Sequence, residues 1–196
     1  AESGEAYVLR LPRKLRETVY MLPVEAEYRV MERLVPTVVP VPEPVLFCGD
    51  ESVVGDPFFL MTYLDGAPVH LGSDLPEGFQ HPHARARFGE CVVDTLAAVH
   101  SADPAPFADA CEAWTAREQV TDAVERIDAV VGDTGLEVPS LRQAGEWLLA
   151  NAPGASERRL LHGDFRPGNL LFVGDERPRV SGVLDWEAAL LGDPLT

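Results

Sequence analysis

The sequence predicts an α+β protein, either one compact unit or two small lobes, and three observations lead to this prediction. Strand-like apolar runs dominate the first 64 residues, where a single amphipathic helix interrupts them. Helical periodicity dominates residues 86–151. A β-hairpin flanked by carboxylate and amide side chains is predicted near the C-terminal end. The composition changes near Asp65, so we place the lobes at residues 1–64 and 65–196.

Three strands and one helix are predicted in the first lobe. The strands are, in chain order, residues 6–10, 45–48 and 58–64, of which the last is the most hydrophobic. The helix is predicted at residues 25–34, because Tyr28, Met31 and Leu34 recur at helical spacing. Pro36 stops it soon afterwards.

Three helices are predicted in the second lobe, at residues 86–101, 113–131 and 140–151. Trp147, Leu148 and Leu149 are expected to anchor the last of them in the core. Residues 71–84 contain Gly and Pro and predict a loop. Its two histidines, His81 and His83, do not predict a metal site, because one-residue spacing without a nearby partner is typical of a loop.

The hairpin is predicted from two apolar runs, residues 170–173 and 180–184. The turn between them contains Gly, Asp and Pro, which favour chain reversal. Folding the hairpin back brings the loop before its first strand close to the loop after its second. We therefore expect Asp164, Asn169 and Asp185 to converge at one end of the hairpin.

This set of side chains suits phosphoryl transfer assisted by magnesium. Mg²⁺ prefers oxygen ligands and retains waters, so the carboxylate of Asp185 and the amide oxygen of Asn169 are predicted to hold it beside nucleotide phosphates. Asp164 is predicted to orient an acceptor hydroxyl and accept its proton. Arg166 is expected to contact the transferred phosphate through its planar guanidinium. His162 is interpreted as a structural residue that hydrogen-bonds the loop backbone.

Residues 162–169, HGDFRPGN, and residues 184–187, LDWE, resemble the catalytic and metal-binding loops of the aminoglycoside phosphotransferase and choline kinase-like family. His162, Asp164, Asn169 and Asp185 match the family positions. The closest resemblance is to the kinase-like domain linked to some acyl-CoA dehydrogenases. It implies a protein-kinase-like fold with a partial antiparallel N-terminal sheet, one helix and a mainly helical second lobe that carries the hairpin. Against this fold, both ends of the chain are expected to be truncated.

The resemblance also implies a nucleotide site in the first lobe. In this fold, a cationic side chain at the end of a strand pairs with a nucleotide phosphate. This residue is expected to be Arg10, where the family usually has Lys. Its partner on the helix is expected at Glu27, with Glu25 as the alternative. The hinge that binds adenine through its backbone, together with the residue behind the pocket, is expected at Thr62, Tyr63, Leu64 and Met61.

The function implied by the resemblance is transfer of the γ-phosphate of ATP, with GTP possible, to a hydroxyl of a small molecule. Mg²⁺ is the expected cofactor. The alternative is a non-catalytic nucleotide-binding or scaffold module, because Arg10 replaces Lys and no G-x-G-x-x-G loop occurs in the sequence. A protein kinase is disfavoured, since HGD and LDWE stand in place of HRD and DFG. The sequence leaves the acceptor and the oligomeric state open.

The composition excludes several other classes of function. Asp and Glu number 32 against 16 Lys and Arg, which gives a net charge of −16. Such a charge disfavours nucleic acid and anionic membranes as partners and attracts cationic molecules, although adaptation to high salt explains it equally well. No apolar run is long enough to span a membrane and no signal peptide is evident. Three cysteines without metal-type spacing favour a cytoplasmic protein.

Overall fold

A three-stranded antiparallel sheet forms the first part of the protein. The computed structural model describes residues 4, 6–12, 20–70, 81–135, 138–154, 157–174 and 177–194. The strands β1 (Tyr7–Arg10), β2 (Pro44–Cys48) and β3 (Phe58–Thr62) lie in the order β1-β3-β2. The most apolar strand, β3, is central, with Phe58 and Phe59 buried. All three predicted strands are confirmed to within two residues at either end.

Helix α1 (Val24–Leu34) joins this sheet to the C-terminal part of the chain. Its buried residues recur every three or four positions, as the sequence predicted, and they are Val24, Glu27, Val30, Met31 and Leu34. Just before the helix, the backbone N–H of Leu22 donates to the carbonyl of Glu187 at 2.6 Å. The charged side chain of Glu27 is thereby placed on a buried face, between the sheet and the segment that follows Asp185.

Three longer helices follow, α2 (Pro82–Ser101), α3 (Ala116–Thr134) and α4 (Pro139–Asn151). The loop prediction was wrong for residues 82–84, which form the first turn of α2. Proline is well suited to that position because the first helical residue needs no N–H donor. Residues 71–80 of the predicted loop lie outside the described residues. Helix α3 begins after Thr115, which forms a capping box with Glu118.

The prediction that Trp147 and Leu148 anchor α4 was wrong. Trp147 is 64% exposed and Leu148 is 45% exposed. The buried residue of this helix is Gly145, where an added methyl group would lie only 2.9 Å from Cγ2 of Val124 on α3. Trp147 is about 200° around the helix axis from Gly145, so close packing at the glycine turns the tryptophan outward.

The C-terminal part contains two antiparallel strand pairs. The predicted hairpin is confirmed: β5 (Leu170–Val173) pairs with β6 (Arg179–Val183), although residues 175–176 of its turn lie outside the described residues. The second pair, β4 (Arg159–Leu161) with β7 (Leu190–Gly192), was missed because three-residue strands show no periodicity. By pairing, β4 and β7 hold together the two ends of residues 162–189, the segment that carries the predicted site.

One hydrophobic core runs through both parts of the molecule. Val30 and Phe59 from the first part belong to the same buried cluster as Leu170 and Trp186 from the second. The lobe boundary near Asp65 therefore stays a prediction. Among the helices described, none has the length and apolarity needed to cross a lipid bilayer.

Candidate active site

The loop between β4 and β5 holds Asp164 between two polar neighbours. Nδ2 of Asn169 donates to the carbonyl of Asp164 and to its Oδ2, each at 2.9 Å. On the other side, Nε of Arg166 donates to both carboxylate oxygens of Asp164, at 3.3 and 3.1 Å. The Asp164 side chain is 49% exposed. The carboxylate is thus fixed in orientation while remaining open to a molecule that arrives from solvent.

The hairpin brings Asn169 next to Asp185, as predicted. Asn169 is buried, and its carbonyl accepts a hydrogen bond from the N–H of Leu184 at 2.8 Å. Asp185 has a φ of +67°, and among the described residues it is the only non-glycine with a positive φ. Asp tolerates this left-handed conformation better than most residues, and such local strain is concentrated at functional sites.

Asn169 and Asp185 line a cleft of about 350 Å³ between β1, α1 and the hairpin. A cleft of this size is in the range of small-molecule sites. Asp164 does not line it directly but lies beside it, in contact with Asn169. A larger hollow of about 410 Å³ between α3 and α4 contains none of the predicted site residues. We therefore regard the first cleft as the candidate site.

Arg10 projects from the end of β1 into a group of three carboxylates. Its Nε donates to both carboxylate oxygens of Glu27, at 3.2 and 2.9 Å. Its Nη2 donates to Oδ1 of Asp185 at 3.2 Å and also to Oε2 of Glu187. The predicted pairing of Arg10 with Glu27 is therefore present, whereas the alternative partner, Glu25, pairs with Arg29 at 2.6 Å.

The members of this group shift one another's pKa values. Burial lowers the pKa of Arg10, but the charges and hydrogen bonds of Glu27 and Glu187 outweigh it and hold that pKa above its ordinary value. Burial raises the pKa of Glu27 to about 7 against the opposing attraction of Arg10, and the negative charges of Asp185 and Glu187 add to the rise. Arg10 and the three carboxylates are thus electrostatically coupled.

His162 connects the two loops of the site. Its Nδ1 accepts a hydrogen bond from the backbone N–H of Asp164 at 3.2 Å, so the ring proton is on Nε2, which donates to the carbonyl of Leu184 at 2.8 Å. The ring is buried against Trp186, with centroids 4.6 Å apart. Burial lowers the pKa of His162, which keeps it neutral near pH 7. The interpretation of His162 as a structural residue agrees with this geometry.

The predicted hinge residues lie at the end of β3, but only Met61 lines the cleft. The N–H of Thr62 donates to the carbonyl of Glu43 at 2.9 Å, and the N–H of Tyr63 donates to the carbonyl of Ala6 at 3.0 Å. The side chain of Leu64 packs against the hairpin at Gly182. The backbone donors of Thr62 and Tyr63 are thus engaged within the protein, and the hinge assignment remains a prediction.

Glu187 is the site residue whose role the sequence left undecided. It is 8% exposed and bound to Arg10, although in the sequence it is simply the last letter of LDWE. The only signal that could have identified it is its position two residues after Asp185, at the mouth of the predicted hairpin.

The donor set fits a magnesium ion bound together with phosphates. Within the described part of the chain, no group of three or more His, Cys, Asp or Glu side chains is arranged as a metal site. Mg²⁺ commonly uses only one or two protein ligands and completes its shell with waters and substrate phosphates. One carboxylate from Asp185 and one amide oxygen from Asn169, both facing the same cleft, meet that requirement.

Comparison with known proteins identifies the family. The model of the phosphotransferase enzyme family, APH, matches residues 1–196. The chain belongs to the phosphotransferase enzyme family. Human acyl-CoA dehydrogenase family member 11 is 32% identical to this phosphotransferase-family chain over 177 residues, which are 88% of the chain and 22% of the human protein. The chain thus spans about a quarter of the length of the curated relatives it matches, and the predicted resemblance to an acyl-CoA dehydrogenase-linked domain is confirmed.

Solved structures of the same family confirm the protein-kinase-like fold. A candidate aminoglycoside phosphotransferase from Ralstonia eutropha superposes with a TM-score of 0.74 and 28% identity, covering 98% of this chain and 56% of that protein. The GDP and kanamycin complex of the aminoglycoside phosphotransferase APH(2″)-IIIa gives a TM-score of 0.70 at 19% identity, covering 98% of this chain and 64% of that protein. The α+β fold class predicted from the sequence is therefore correct.

Proposed function

We propose that this chain is the catalytic part of a magnesium-dependent phosphotransferase that moves the γ-phosphate of ATP, or of GTP, to a hydroxyl of a small molecule. The observation that carries the proposal is the contact between Asn169 and the carboxylate of Asp164, made at the edge of the cleft that Asn169 shares with Asp185. Membership of the phosphotransferase family supports the reaction class.

Asn169 and Asp185 are proposed to hold the metal. Because Nδ2 of Asn169 donates to Asp164, the amide is oriented with Oδ1 as its remaining ligand atom. Asp185 contributes a carboxylate from the other loop. When bound, Mg²⁺ would neutralise charge on the nucleotide phosphates.

Asp164 is proposed to orient the acceptor hydroxyl and to accept its proton. Its half-exposed carboxylate is held by Asn169 and Arg166, so a hydroxyl can approach from solvent while the base stays fixed. Arg166 lies against this carboxylate and is proposed to contact the phosphoryl group as it moves toward the acceptor.

Nucleotide binding is assigned to the opposite wall of the cleft. Arg10, supported by Glu27, is proposed to contact phosphate, and Met61 to pack behind the base. Thr62, Tyr63 and Leu64 are proposed as the hinge, which requires base recognition to use backbone groups other than the two donors already engaged. APH(2″)-IIIa, which shares this fold, has been solved in complex with GDP, and this supports nucleotide binding as part of the proposal.

The acceptor is proposed to be a small hydroxyl compound. A net charge of −16 favours an acceptor that carries positive charge, as the kanamycin bound by APH(2″)-IIIa does at neutral pH. A cytoplasmic location is proposed from Cys48, Cys91 and Cys111, all of which are free thiols.

The proposal is tested by measuring nucleotide-dependent phosphate transfer to a panel of amino alcohols, aminoglycosides and hydroxyacyl thioesters. For an acceptor that is turned over, Asp164→Asn should lower kcat by about 10²–10⁴-fold, because proton acceptance is lost. Nucleotide affinity should change by less than about threefold, since Asp164 lies beside the cleft. Asp94→Asn, an exposed aspartate of α2, is the matched control and should retain full activity.

Two outcomes would contradict the mechanism. Full activity in Asp164→Asn would place proton acceptance on another group. Tight nucleotide binding without transfer to any acceptor, and without hydrolysis, would favour the alternative of a non-catalytic nucleotide-binding or scaffold module.

A further inference from the structure

Arg10 is shared by three carboxylates, which come from two separate segments of the chain. Glu27 comes from α1 and occupies Nε of the guanidinium. Asp185 and Glu187 come from the segment after β6, and both accept from Nη2. The proposed metal ligand Asp185 and Glu187 therefore share one nitrogen of Arg10, which has two N–H groups and donates to both.

Glu187 is held in place independently of Arg10. It lies in the short 3-10 turn Trp186–Ala188, whose first residue is fully buried and donates from its indole Nε1 to the carbonyl of Val183 at 3.1 Å. The carbonyl of Glu187 accepts from the N–H of Leu22 at 2.6 Å. With its backbone anchored on two sides and its side chain only 10% exposed, Glu187 has little freedom to follow a moving partner.

This arrangement determines what happens to Arg10 when a cation binds Asp185. A metal ion on Oδ1 of that carboxylate would repel the guanidinium, because two cations cannot share the same oxygen closely. With Glu187 present, Nη2 keeps an acceptor and Arg10 stays at the cleft. Without Glu187, the best remaining acceptor for Nη2 among these three carboxylates is Asp185 itself, so Arg10 would compete with the metal.

We propose that Glu187 is a positioning residue that draws Arg10 away from Asp185, thereby freeing Asp185 for the metal and keeping Arg10 directed at phosphate. This inference rests on the proposed function. It also explains why arginine stands at the end of β1. The planar guanidinium presents separate nitrogens to Glu27 and Glu187, whereas lysine would have to reach both carboxylates from a single nitrogen atom.

A double-mutant cycle tests the proposal against the other role open to Glu187, which is direct ligation of the metal. The variants are Glu187→Gln, Arg10→Met and the double variant, with Glu90→Gln, an exposed glutamate of α2, as the control. The readout is the Mg²⁺ concentration that half-saturates ATP binding, measured by calorimetry. We expect Glu187→Gln to raise it about tenfold when Arg10 is present. In the Arg10→Met background the same change should have less than a twofold effect.

An equal effect of Glu187→Gln in both backgrounds would overturn the proposal and favour direct ligation. No effect in either background would also overturn it. Arg10→Lys provides a second check. Relative to Arg10→Met, it should recover only part of the affinity for ATP. Relative to the wild type, it should raise the Mg²⁺ concentration that half-saturates ATP binding.

Urea unfolding without nucleotide tests this inference separately from the proposed function. It is measured for the wild type, Glu187→Gln, Arg10→Met and the double variant. If Arg10 and Glu187 are coupled as described, the midpoint shifts of the single variants will not add up to the shift of the double variant. Additive shifts would overturn the positioning role. A wild-type chain that binds no nucleotide would instead contradict the proposed function. The urea measurements would still decide whether the ion pair with Glu187 holds Arg10 in place.

Discussion

At the scale of single residues, His162 joins the two loops of the candidate site through its two ring nitrogens. One nitrogen accepts from the N–H of Asp164 and the other donates to the carbonyl that precedes Asp185. The structural role was predicted from the sequence, because Asp164 was already the expected base. The sequence did not allow the contact with Trp186 to be foreseen, since that contact depends on the fold of the 3-10 turn.

Stability should depend on pH through His162. Burial holds its folded-state pKa below the value of about 6.5 expected in the unfolded chain, so the unfolded state binds more protons in acid. The contribution of His162 to the free energy of unfolding is therefore complete above about pH 6.5, and it is lost as the pH falls toward the folded-state pKa. Urea unfolding of the wild type and of His162→Gln at pH 8 and pH 5.5 measures it.

The free energy of unfolding lost on His162→Gln should be larger at pH 8 than at pH 5.5, by up to about 1.4 kcal/mol per pH unit below the unfolded-state pKa. His83→Gln, at an exposed position in the first turn of α2, is the matched control. A loss on His162→Gln that is the same at both pH values would mean that the imidazole is not held neutral by burial.

The Arg10 cluster shows the limit of prediction at this scale. The pairing of Arg10 with Glu27 was implied by the family resemblance. The contacts with Asp185 and Glu187 were not, because they join residues about 175 positions apart and depend on how α1 packs against the hairpin. A single sequence contains no pattern that reports such a separation.

At the scale of elements, long and strongly patterned segments were predicted well and short ones were not. The β5–β6 hairpin combines two apolar runs with turn chemistry, and both runs form the predicted strands, with a register irregularity between Leu171 and Phe172 that was not predicted. The β4–β7 pair has three residues per strand and was missed. The packing of α4 was misjudged because its contact surface is centred on Gly145, and an absent side chain gives no hydrophobic signal.

Gly163 offers a test of how tightly the catalytic loop is closed. Its φ is +81°, and an added methyl group would lie 2.0 Å from the carbonyl oxygen of Ala188. Gly163→Ala should therefore lower the free energy of unfolding by about 2–4 kcal/mol, from backbone strain and from the clash together. The same substitution at Gly89, in α2 with open space around it, should raise stability by about 0.5–1 kcal/mol.

Chemical denaturation of the two glycine variants under identical conditions measures both effects. Opposite signs are expected, with Gly163→Ala also less active because the loop that carries Asp164 is displaced. Equal stabilities for the two variants would show that the loop is not packed against the turn at Ala188.

At the scale of the whole molecule, the candidate site is a cleft between parts of the chain that are distant in sequence. One wall is β1 and α1, the other is the end of the hairpin, and a continuous core beneath fixes their separation. The fold class, and the placement of Asn169 and Asp185 at one cleft, followed from the sequence and from the family resemblance. The position of Asp164 beside the cleft, rather than in its lining, did not follow, because it depends on how Asn169 fills the space between them.

The central claim is that Asp185 binds a magnesium ion that accompanies nucleotide phosphates. It is tested most directly by calorimetric titration of the protein with ATP, in the presence and absence of Mg²⁺, for the wild type, Asp185→Asn and the control Asp94→Asn. Asp185→Asn keeps the side-chain shape but removes one negative charge that faces the cation. We predict at least about a tenfold loss of affinity for Mg²⁺–ATP and little dependence of the remaining binding on Mg²⁺. Unchanged Mg²⁺–ATP affinity in Asp185→Asn would contradict the assignment of this site.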